Sequence, residues 1–347
     1  MRWFRSFSSC CCVVLFALSF PAESRATPFD NIYVLGDSLS DQGNLSIATG
    51  GVAPDPTHYF NGRFSNGPVY TDILAQKLGL PLGPSLLGGN NFAFGGARTT
   101  SNVAENFLPP GLFPWSLNAE TAAFASRGIH DPSGLYIVFS GSNDIGDILS
   151  NNLDPATVFS TLLNGTLMAV QAFKDAGAQT ILVPNVANLG LTPEALNAGT
   201  SQAATLLSAQ YDEILHDALI QAATGGVNII QFDTFAWLNK IVAHPGAFGL
   251  TNVSDACYSG FIFFDPNATE CANPNDYLFW DREHPTTAGQ ALLARKMLAA
   301  LSPQAVPEPP PISLLLTGLL VFAGAKHVSQ RSRRNARRDY RETERPA

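Results

Sequence analysis

Short apolar runs alternate with long helical segments along most of this chain, and this alternation constrains the fold more than any other feature. The apolar runs predict strands at 31–35, 135–139, 180–183 and 227–232. Helical spacing predicts helices over 68–78, 155–176, 193–223 and 286–301. A strand that is covered on both faces shows a continuous apolar run, as the segment at 135–139 does. The pattern therefore predicts an α/β fold with a parallel sheet between two layers of helices.

The charge of the chain is unevenly distributed. Between residues 27 and 305, nine Lys and Arg residues stand against 23 Asp and Glu residues, which leaves this body with a net charge of −14. Nucleic-acid binding requires a positive face that meets the phosphate backbone. An acidic body of this kind argues against nucleic acid as a partner, while an apolar content of 46% provides ample material for a buried core.

The first 26 residues have the three-part layout of a secretory signal. Two arginines precede an apolar stretch at 10–20, and Ser24-Arg25-Ala26 has the small-x-small pattern of a cleavage site. The apolar stretch is too short to cross a bilayer as a permanent helix. We therefore expect residues 1–26 to be a signal peptide that directs export, with an uncleaved N-terminal anchor as the alternative.

Residues 304–347 contain a second candidate targeting segment. A Pro-Glu-Pro motif at 307–309 precedes an apolar stretch at 312–325, and an Arg-rich tail follows. Fourteen residues as a helix reach about 21 Å, which spans a bilayer only with thinning or snorkelling. This end resembles the PEP-CTERM sorting signal of Gram-negative bacteria. The resemblance implies transient anchoring in the inner membrane, recognition by an exosortase-type enzyme, and delivery to the envelope or outside. A plain C-terminal anchor is the alternative.

The body at 27–303 contains two cysteines, Cys257 and Cys271. Exported proteins tolerate disulfides, and this pair would close a 15-residue loop, which stabilises a fold by about 3 kcal/mol on the chain-entropy estimate. We predict a disulfide between them, with two free thiols as the alternative.

Polar residues suited to nucleophilic catalysis follow two of the predicted strands, at the sheet edge where ligands bind in such folds. Ser38 follows the first strand on a tight turn, placed like a nucleophile, and Asn143 follows the second, with an amide that can donate to an oxyanion. Asp281 precedes His284 by three residues, so its carboxylate can hold the imidazole in the tautomer that accepts a serine proton. The ordinary alternatives are a helix cap, a Gly- and Asn-rich turn, and a surface histidine.

Four short blocks occur in a characteristic order. They are Gly36-Asp37-Ser38-Leu39, Asn91-Phe-Ala-Phe-Gly-Gly-Ala97, Gly141-x-Asn143-Asp144 and Asp281-x-x-His284-Pro285. Together they resemble the SGNH/GDSL hydrolase family over roughly 29–301, and specifically its longer secreted lipases and esterases. The resemblance implies a flavodoxin-like, three-layer α/β/α fold with about five parallel strands, and hydrolysis of esters through a serine acyl-enzyme.

The resemblance also implies roles for individual residues. Ser38 is the nucleophile, His284 takes the serine proton, and Asp281 orients the imidazole. It implies no metal and no organic cofactor, and the sequence contains no His-Glu-x-x-His, Cys-x-x-Cys or Gly-rich dinucleotide motif. The absence of Gly-x-Ser-x-Gly removes the sequence support for an α/β-hydrolase fold.

The oxyanion hole implied by the resemblance has three donors. The backbone N–H of Ser38 is the first and the side-chain amide of Asn143 is the third. The second is a glycine of the Gly95-Gly96 pair, and we take Gly95 as the usual match, with Gly96 as the alternative.

Two long segments, at 95–133 and 236–278, are rich in Phe, Leu, Pro and Gly. Their large apolar residues are Phe107, Leu108, Leu112, Phe113, Trp115, Phe261, Phe263 and Phe264. On loops above a sheet edge they would line an acyl-chain groove, whereas core packing under the loops is the alternative.

We expect a lipid or lysophospholipid ester as substrate, then short-chain esters, then O-acetylated exopolysaccharide. A non-catalytic surface or matrix protein is the alternative from another class.

Overall fold

Four parallel strands form the central sheet of the computed structural model, which describes residues 29–103 and 115–302. In spatial order they are β1 (Ile32–Gly36), β2 (Leu135–Phe139), β3 (Thr180–Pro184) and β4 (Asn228–Phe232). Each lies within one residue of an apolar run that predicted it. Several predictions fall outside the described residues: the two candidate targeting segments, the apolar stretch at 312–325, and residues 107–113 of the first Phe-rich segment.

A fifth extended segment, at 90–94, runs parallel to β1 along the edge that β2 leaves free. The N–H of Val34 donates to the carbonyl of Asn90 at 3.1 Å, and the N–H of Phe92 donates to the carbonyl of Val34 at 2.8 Å. A parallel bridge joins Val34 and Asn91. The sheet therefore has the five-membered parallel arrangement of the predicted three-layer α/β/α fold, although its fifth member is too short and irregular to be a regular strand.

Helices cover both faces of this sheet, and the strand side chains alternate between two cores. One core joins Tyr33, Tyr136 and Ile181 to helices α3 (Leu117–Ser126), α5 (Pro155–Asp175) and α7 (Ser201–Ala222). The other joins Ile32, Ile137 and Leu182 to helices α2 (Tyr70–Leu78) and α9 (Thr287–Leu301). By length and composition α5 is apolar enough to cross a membrane, but its inner face belongs to the first core. The remaining helices are α1 (Asn44–Ala48), α4 (Ser142–Ser150), α6 (Pro193–Ala198) and α8 (Thr234–Ala243).

The predicted helix over 193–223 is wrong as a single element. The chain leaves the helical path at Gly199, whose φ is 70°, and α7 starts two residues later. Left-handed backbone is the usual end of a helix and favours glycine. The predicted start of α5 is confirmed, because the Asp154 side chain accepts the N–H of Thr157 at 3.0 Å.

A small second sheet lies beside the main one and leads into the last sequence block. It pairs β5 (Asn252–Ala256) with β6 (Tyr277–Phe279). The structure joins Cys257 to Cys271 by the predicted disulfide, directly after β5. Next to it, the rings of Tyr258 and Trp280 stack with their centroids 5.5 Å apart. Because Trp280 precedes Asp281, this packing determines where the Asp281–His284 loop begins.

Candidate active site

The structure brings Ser38, His284 and Asp281 together at the carboxyl edge of the sheet. The Oγ atom of Ser38 lies 2.7 Å from Nε2 of His284, across 246 positions of sequence. The Nδ1 atom of the same imidazole lies 2.7 Å from Oδ2 of Asp281 and 3.0 Å from its Oδ1. All three side chains are buried. A hydroxyl, an imidazole and a carboxylate in this arrangement can activate a serine for attack on an acyl group.

Burial and charge–charge contact act in opposite directions on the pKa values of His284 and Asp281. Burial alone would lower the pKa of His284, but the Asp281 carboxylate, with smaller contributions from Glu283 and Asp37, raises this pKa to about 9. Burial would likewise raise the pKa of Asp281, yet His284 and the backbone donors hold it below its ordinary value. The Asp281 carboxylate therefore stabilises the protonated imidazole, the form that His284 takes once it has accepted a proton.

The His284 imidazole is not the only group that contacts the Asp281 carboxylate. The hydroxyl of Tyr59 donates to Oδ2 at 2.7 Å, while the backbone N–H groups of Glu283 and His284 donate to Oδ1 at 2.9 Å and 2.7 Å. The two backbone donors come from the Asp281–His284 block itself. Tyr59 was missed by the sequence analysis, because nothing in the sequence links a tyrosine to a carboxylate 222 positions away.

The predicted oxyanion donors line one pocket beside Ser38 and His284. Asn143 lies in the first turn of α4, and its Nδ2 donates one hydrogen to the carbonyl of Ala97 at 3.1 Å. An amide nitrogen carries two hydrogens, and the second has no acceptor among the described residues, so it can point into the pocket. Within the described part of the chain, the backbone N–H of Ser38 has no hydrogen-bond acceptor.

The two glycines proposed for the second donor differ in what their backbone N–H groups contact. The N–H of Gly95 already donates to Oδ2 of the buried Asp41 at 2.8 Å, so this donor is not available to an oxyanion. Gly96 lines the same pocket with a φ of 73°, and its N–H has no acceptor among the described residues. The geometry therefore favours Gly96 over Gly95.

A buried carboxylate behind the pocket ties together the two segments that carry these groups. Oε2 of Glu120 accepts the N–H of Gly36 at 2.8 Å, and Oε1 accepts the N–H of Phe94 at 3.1 Å. Glu120 lies on α3 and is 2% exposed. It joins the end of β1 to the 90–94 segment. No sequence motif marks Glu120, so its role could not be predicted from the sequence.

The remaining pocket wall is mainly apolar and includes Leu45, Phe64, Ile262 and Phe263. Of the predicted groove residues, Phe263 lies in this wall, whereas Phe264 is 73% exposed. A wider cleft at the opposite edge of the sheet, by the starts of β3 and β4, holds none of the predicted site residues. Among the described residues, no group of three or more His, Cys, Asp or Glu side chains is placed to hold a metal ion.

Comparison with known proteins identifies the class to which this fold and site belong. The model of the GDSL-like Lipase/Acylhydrolase family matches residues 32–297. The chain belongs to this family and is a carboxylic ester hydrolase.

Individual relatives extend along most of the chain. A phosphatidylcholine-sterol acyltransferase of Aeromonas hydrophila is 30% identical over 308 residues, covering 88% of this chain and 86% of that protein. A GDSL esterase/lipase of Arabidopsis thaliana is 28% identical over 336 residues, covering 81% of this chain and 89% of that protein. A crystal structure of a lipolytic G-D-S-L family member from Veillonella parvula DSM 2008 is similar with a TM-score of 0.41 and 13% identity, over 78% of this chain and 96% of that one.

Proposed function

We propose that this protein hydrolyses carboxylic esters through an acyl-enzyme on Ser38. The observation that carries the proposal is the 2.7 Å contact between the Ser38 hydroxyl and Nε2 of His284. His284 takes the hydroxyl proton as Oγ bonds to the acyl carbon, and returns it to the departing alcohol oxygen as the ester bond breaks. Water then attacks the acyl-enzyme with the same imidazole as base, which releases the acid and restores Ser38. Asp281 orients the imidazole and stabilises its charged form.

The negative charge that develops on the acyl oxygen needs donors that are already in place. We assign this role to the backbone N–H groups of Ser38 and Gly96 and to Nδ2 of Asn143, which line the pocket with the nucleophile. Donors fixed before the reaction need no rearrangement as charge develops, and this is the basis of oxyanion stabilisation.

The substrate that best suits the pocket is a lipid-type acyl ester. Its wall includes Leu45, Phe64, Ile262 and Phe263 in the same pocket as Ser38, and burial of an apolar chain against such a wall favours binding. The similarity to a phosphatidylcholine-sterol acyltransferase supports an acyl ester of this kind. In the proposed reaction water is the acyl acceptor.

A panel of p-nitrophenyl esters from acetate to palmitate tests both the mechanism and the substrate. We expect the wild type to hydrolyse the esters, with kcat/KM increasing from acetate towards longer chains, and Ser38→Ala to show only background release. Equal rates for the two proteins would refute the mechanism. A maximum at acetate would refute the lipid-type substrate and direct attention to short-chain or acetyl esters.

We also propose that the hydrolase domain at 27–303 is exported. Residues 1–26 would be removed as a signal peptide, and 304–347 would act as a PEP-CTERM-type sorting segment read by an exosortase-type enzyme, with 312–325 as a transient anchor. The sequence patterns and the Cys257–Cys271 disulfide support export, because oxidising compartments preserve disulfides. Mass spectrometry of the mature protein should show both ends trimmed. An intact Arg-rich tail on extracellular protein would refute the sorting proposal.

A further inference from the structure

The hydroxyl of Tyr59 shares an acceptor atom with the proposed catalytic base. Oδ2 of Asp281 accepts from the Tyr59 hydroxyl at 2.7 Å and also faces Nδ1 of His284 at 2.7 Å. The other described donors to this carboxylate lie within three residues of it in sequence. Tyr59 is thus the contact that joins Asp281 to a different part of the fold.

Surrounding aromatic rings hold the Tyr59 hydroxyl in place. Tyr59 is 2% exposed, and its ring makes edge-to-face contacts with Phe64, Tyr258 and Trp280 at centroid distances of 6.2, 5.6 and 6.4 Å. Its own N–H donates to the carbonyl of Asp55 at 2.9 Å, which fixes the backbone. Burial, reinforced by the nearby Asp281 charge, raises the pKa of Tyr59, so the phenol stays protonated and acts as a donor.

We propose that Tyr59 is a positioning residue of the active site, which orients Asp281 and adjusts the basicity of His284 through the shared Oδ2 atom. The proposal rests on the function assigned above to Ser38, His284 and Asp281. Tyr59 touches neither the substrate position nor the reacting atoms, and it acts only through the carboxylate.

The electrostatic consequence of removing this hydroxyl has a definite sign. A hydrogen bond from Tyr59 neutralises part of the charge on Oδ2, so less of that charge is available to the imidazolium. Without the hydroxyl, Asp281 binds the charged imidazole more strongly, and His284 holds its proton to higher pH. The other groups that face His284 are the Glu283 and Asp37 carboxylates, the Ser38 hydroxyl and the Phe64 ring, and the substitution leaves them in place.

The test compares Tyr59→Phe with Tyr258→Phe in the full protein. Tyr258 belongs to the same aromatic cluster, but its hydroxyl donates to the carbonyl of Phe261 and not to Asp281. We expect Tyr59→Phe to move the acidic limb of the kcat/KM profile upward by about 0.5 to 1 pH unit, which is the size that one hydrogen bond contributes. We also expect its maximal kcat to fall several-fold, whereas Tyr258→Phe should keep the wild-type midpoint. A purely structural role for Tyr59 would lower the folded fraction and leave the midpoint unchanged.

A second measurement does not depend on turnover. The Nδ1–H proton of His284 gives a downfield NMR resonance when bound to a carboxylate, and His284→Asn identifies it by its loss. We expect this resonance and its titration midpoint to shift in Tyr59→Phe and to stay unchanged in Tyr258→Phe.

An unchanged midpoint and resonance in Tyr59→Phe, or equal shifts in both variants, would overturn the positioning role. Failure of the proposed function is distinguishable from this. In that case the wild type itself would show no Ser38-dependent turnover, while the NMR comparison would still report on Asp281 and His284.

Discussion

The two halves of the active site are held by different kinds of interaction. We call residues 36–44 and 90–97 the nucleophile arm. Backbone pairing with β1 holds part of this arm in place. The buried side chains of Asp41 and Glu120 hold it further, because they accept hydrogen bonds from its backbone N–H groups. We call residues 277–285 the base arm. Side-chain contacts hold this arm in place, mainly those within the aromatic cluster of Tyr59, Tyr258 and Trp280. The Cys257–Cys271 disulfide lies next to this cluster.

This difference determines how each arm responds to substitution. Backbone pairing at the end of a parallel sheet restricts the nucleophile arm almost independently of which apolar side chains are present. The base arm depends on contacts between segments about 200 residues apart, such as Tyr59 with Asp281. We therefore expect changes far from the chemistry to affect the base arm more than the nucleophile arm.

The largest effect is expected where the nucleophile arm meets the oxyanion. Asn143→Ala removes one of the three proposed donors, and loss of one such donor typically lowers kcat by about 10² to 10³-fold. Thermal unfolding should change little, because Asn143 is partly exposed and the Ala97 carbonyl loses a single donor. Asn151→Ala, at the exposed end of the same helix, is the matched control. Unchanged turnover in Asn143→Ala would show that another donor fills the hole.

Removal of the disulfide tests the base arm. Replacing Cys257 and Cys271 by serine should lower the free energy of unfolding by about 3 kcal/mol, the chain-entropy value for this loop. Because the Cys257 N–H donates to Phe279 at 3.1 Å and Tyr258 stacks on Trp280, kcat should also fall at temperatures where both proteins are folded. Urea unfolding and kcat at 20 °C separate the two effects. If kcat per folded molecule stays at the wild-type value, the base arm is independent of the disulfide.

A smaller effect, on stability, is expected when the hydrogen bonds between Glu120 and the backbone of the nucleophile arm are weakened. In Glu120→Gln one carboxylate oxygen becomes an NH₂ group, which faces either the N–H of Gly36 or that of Phe94 and cannot accept from it. An unsatisfied buried donor costs about 1 to 3 kcal/mol, measurable by thermal unfolding. Glu213→Gln, on the exposed side of α7, is the control. Equal stability of the two variants would show that Glu120 does not tie β1 to the 90–94 segment.

The nucleophile arm was largely predictable from the sequence, because its signals are local. A continuous apolar run marks β1, and a short polar block follows it directly. An apolar run followed by a polar block also predicted β2 and the position of Asn143. The extended segment at 90–94 was not predicted, because Asn90, Asn91 and the Gly95-Gly96 pair interrupt the apolar pattern, although the backbone of this segment still pairs with β1. It also could not choose between the two glycines, because that choice depends on the Asp41 contact to one N–H.

In the base arm, only the two residues proposed to take part in the reaction were predictable from the sequence. Asp281 and His284 are three positions apart, and their contact is local. The contacts that hold these two residues in place are not local. Tyr59 is 222 positions from Asp281 in the sequence, and a tyrosine on a loop has many possible partners. Selection among those partners depends on tertiary packing, which a single sequence does not display.

A change of pH is expected to act on activity and stability in opposite directions. kcat/KM should rise as His284 loses its proton near pH 9. The unfolded chain releases the same proton near 6.5, so the stability that the His284–Asp281 pair contributes is lost as pH rises from 6.5 to about 9.

Burial raises the pKa of Asp37 to about 7 and that of Asp212 to about 8. Since these carboxyls ionise near 3.8 when unfolded, they also disfavour the folded state with rising pH. The unfolding temperature should therefore be several degrees lower at pH 9 than at pH 6.

Asp212→Asn separates the two trends, because Asp212 lies on α7 and its Oδ1 accepts the N–H of Val186, outside either arm. An asparagine keeps that acceptor and cannot ionise. We expect this variant to lose less stability than the wild type between pH 6 and 9 while its kcat/KM profile stays unchanged. His284→Asn should also flatten the stability curve, but it should abolish turnover at every pH. If Asp212→Asn moves the activity profile as well, the titration that controls turnover is not confined to the base arm, and the separation of the site into two arms is wrong.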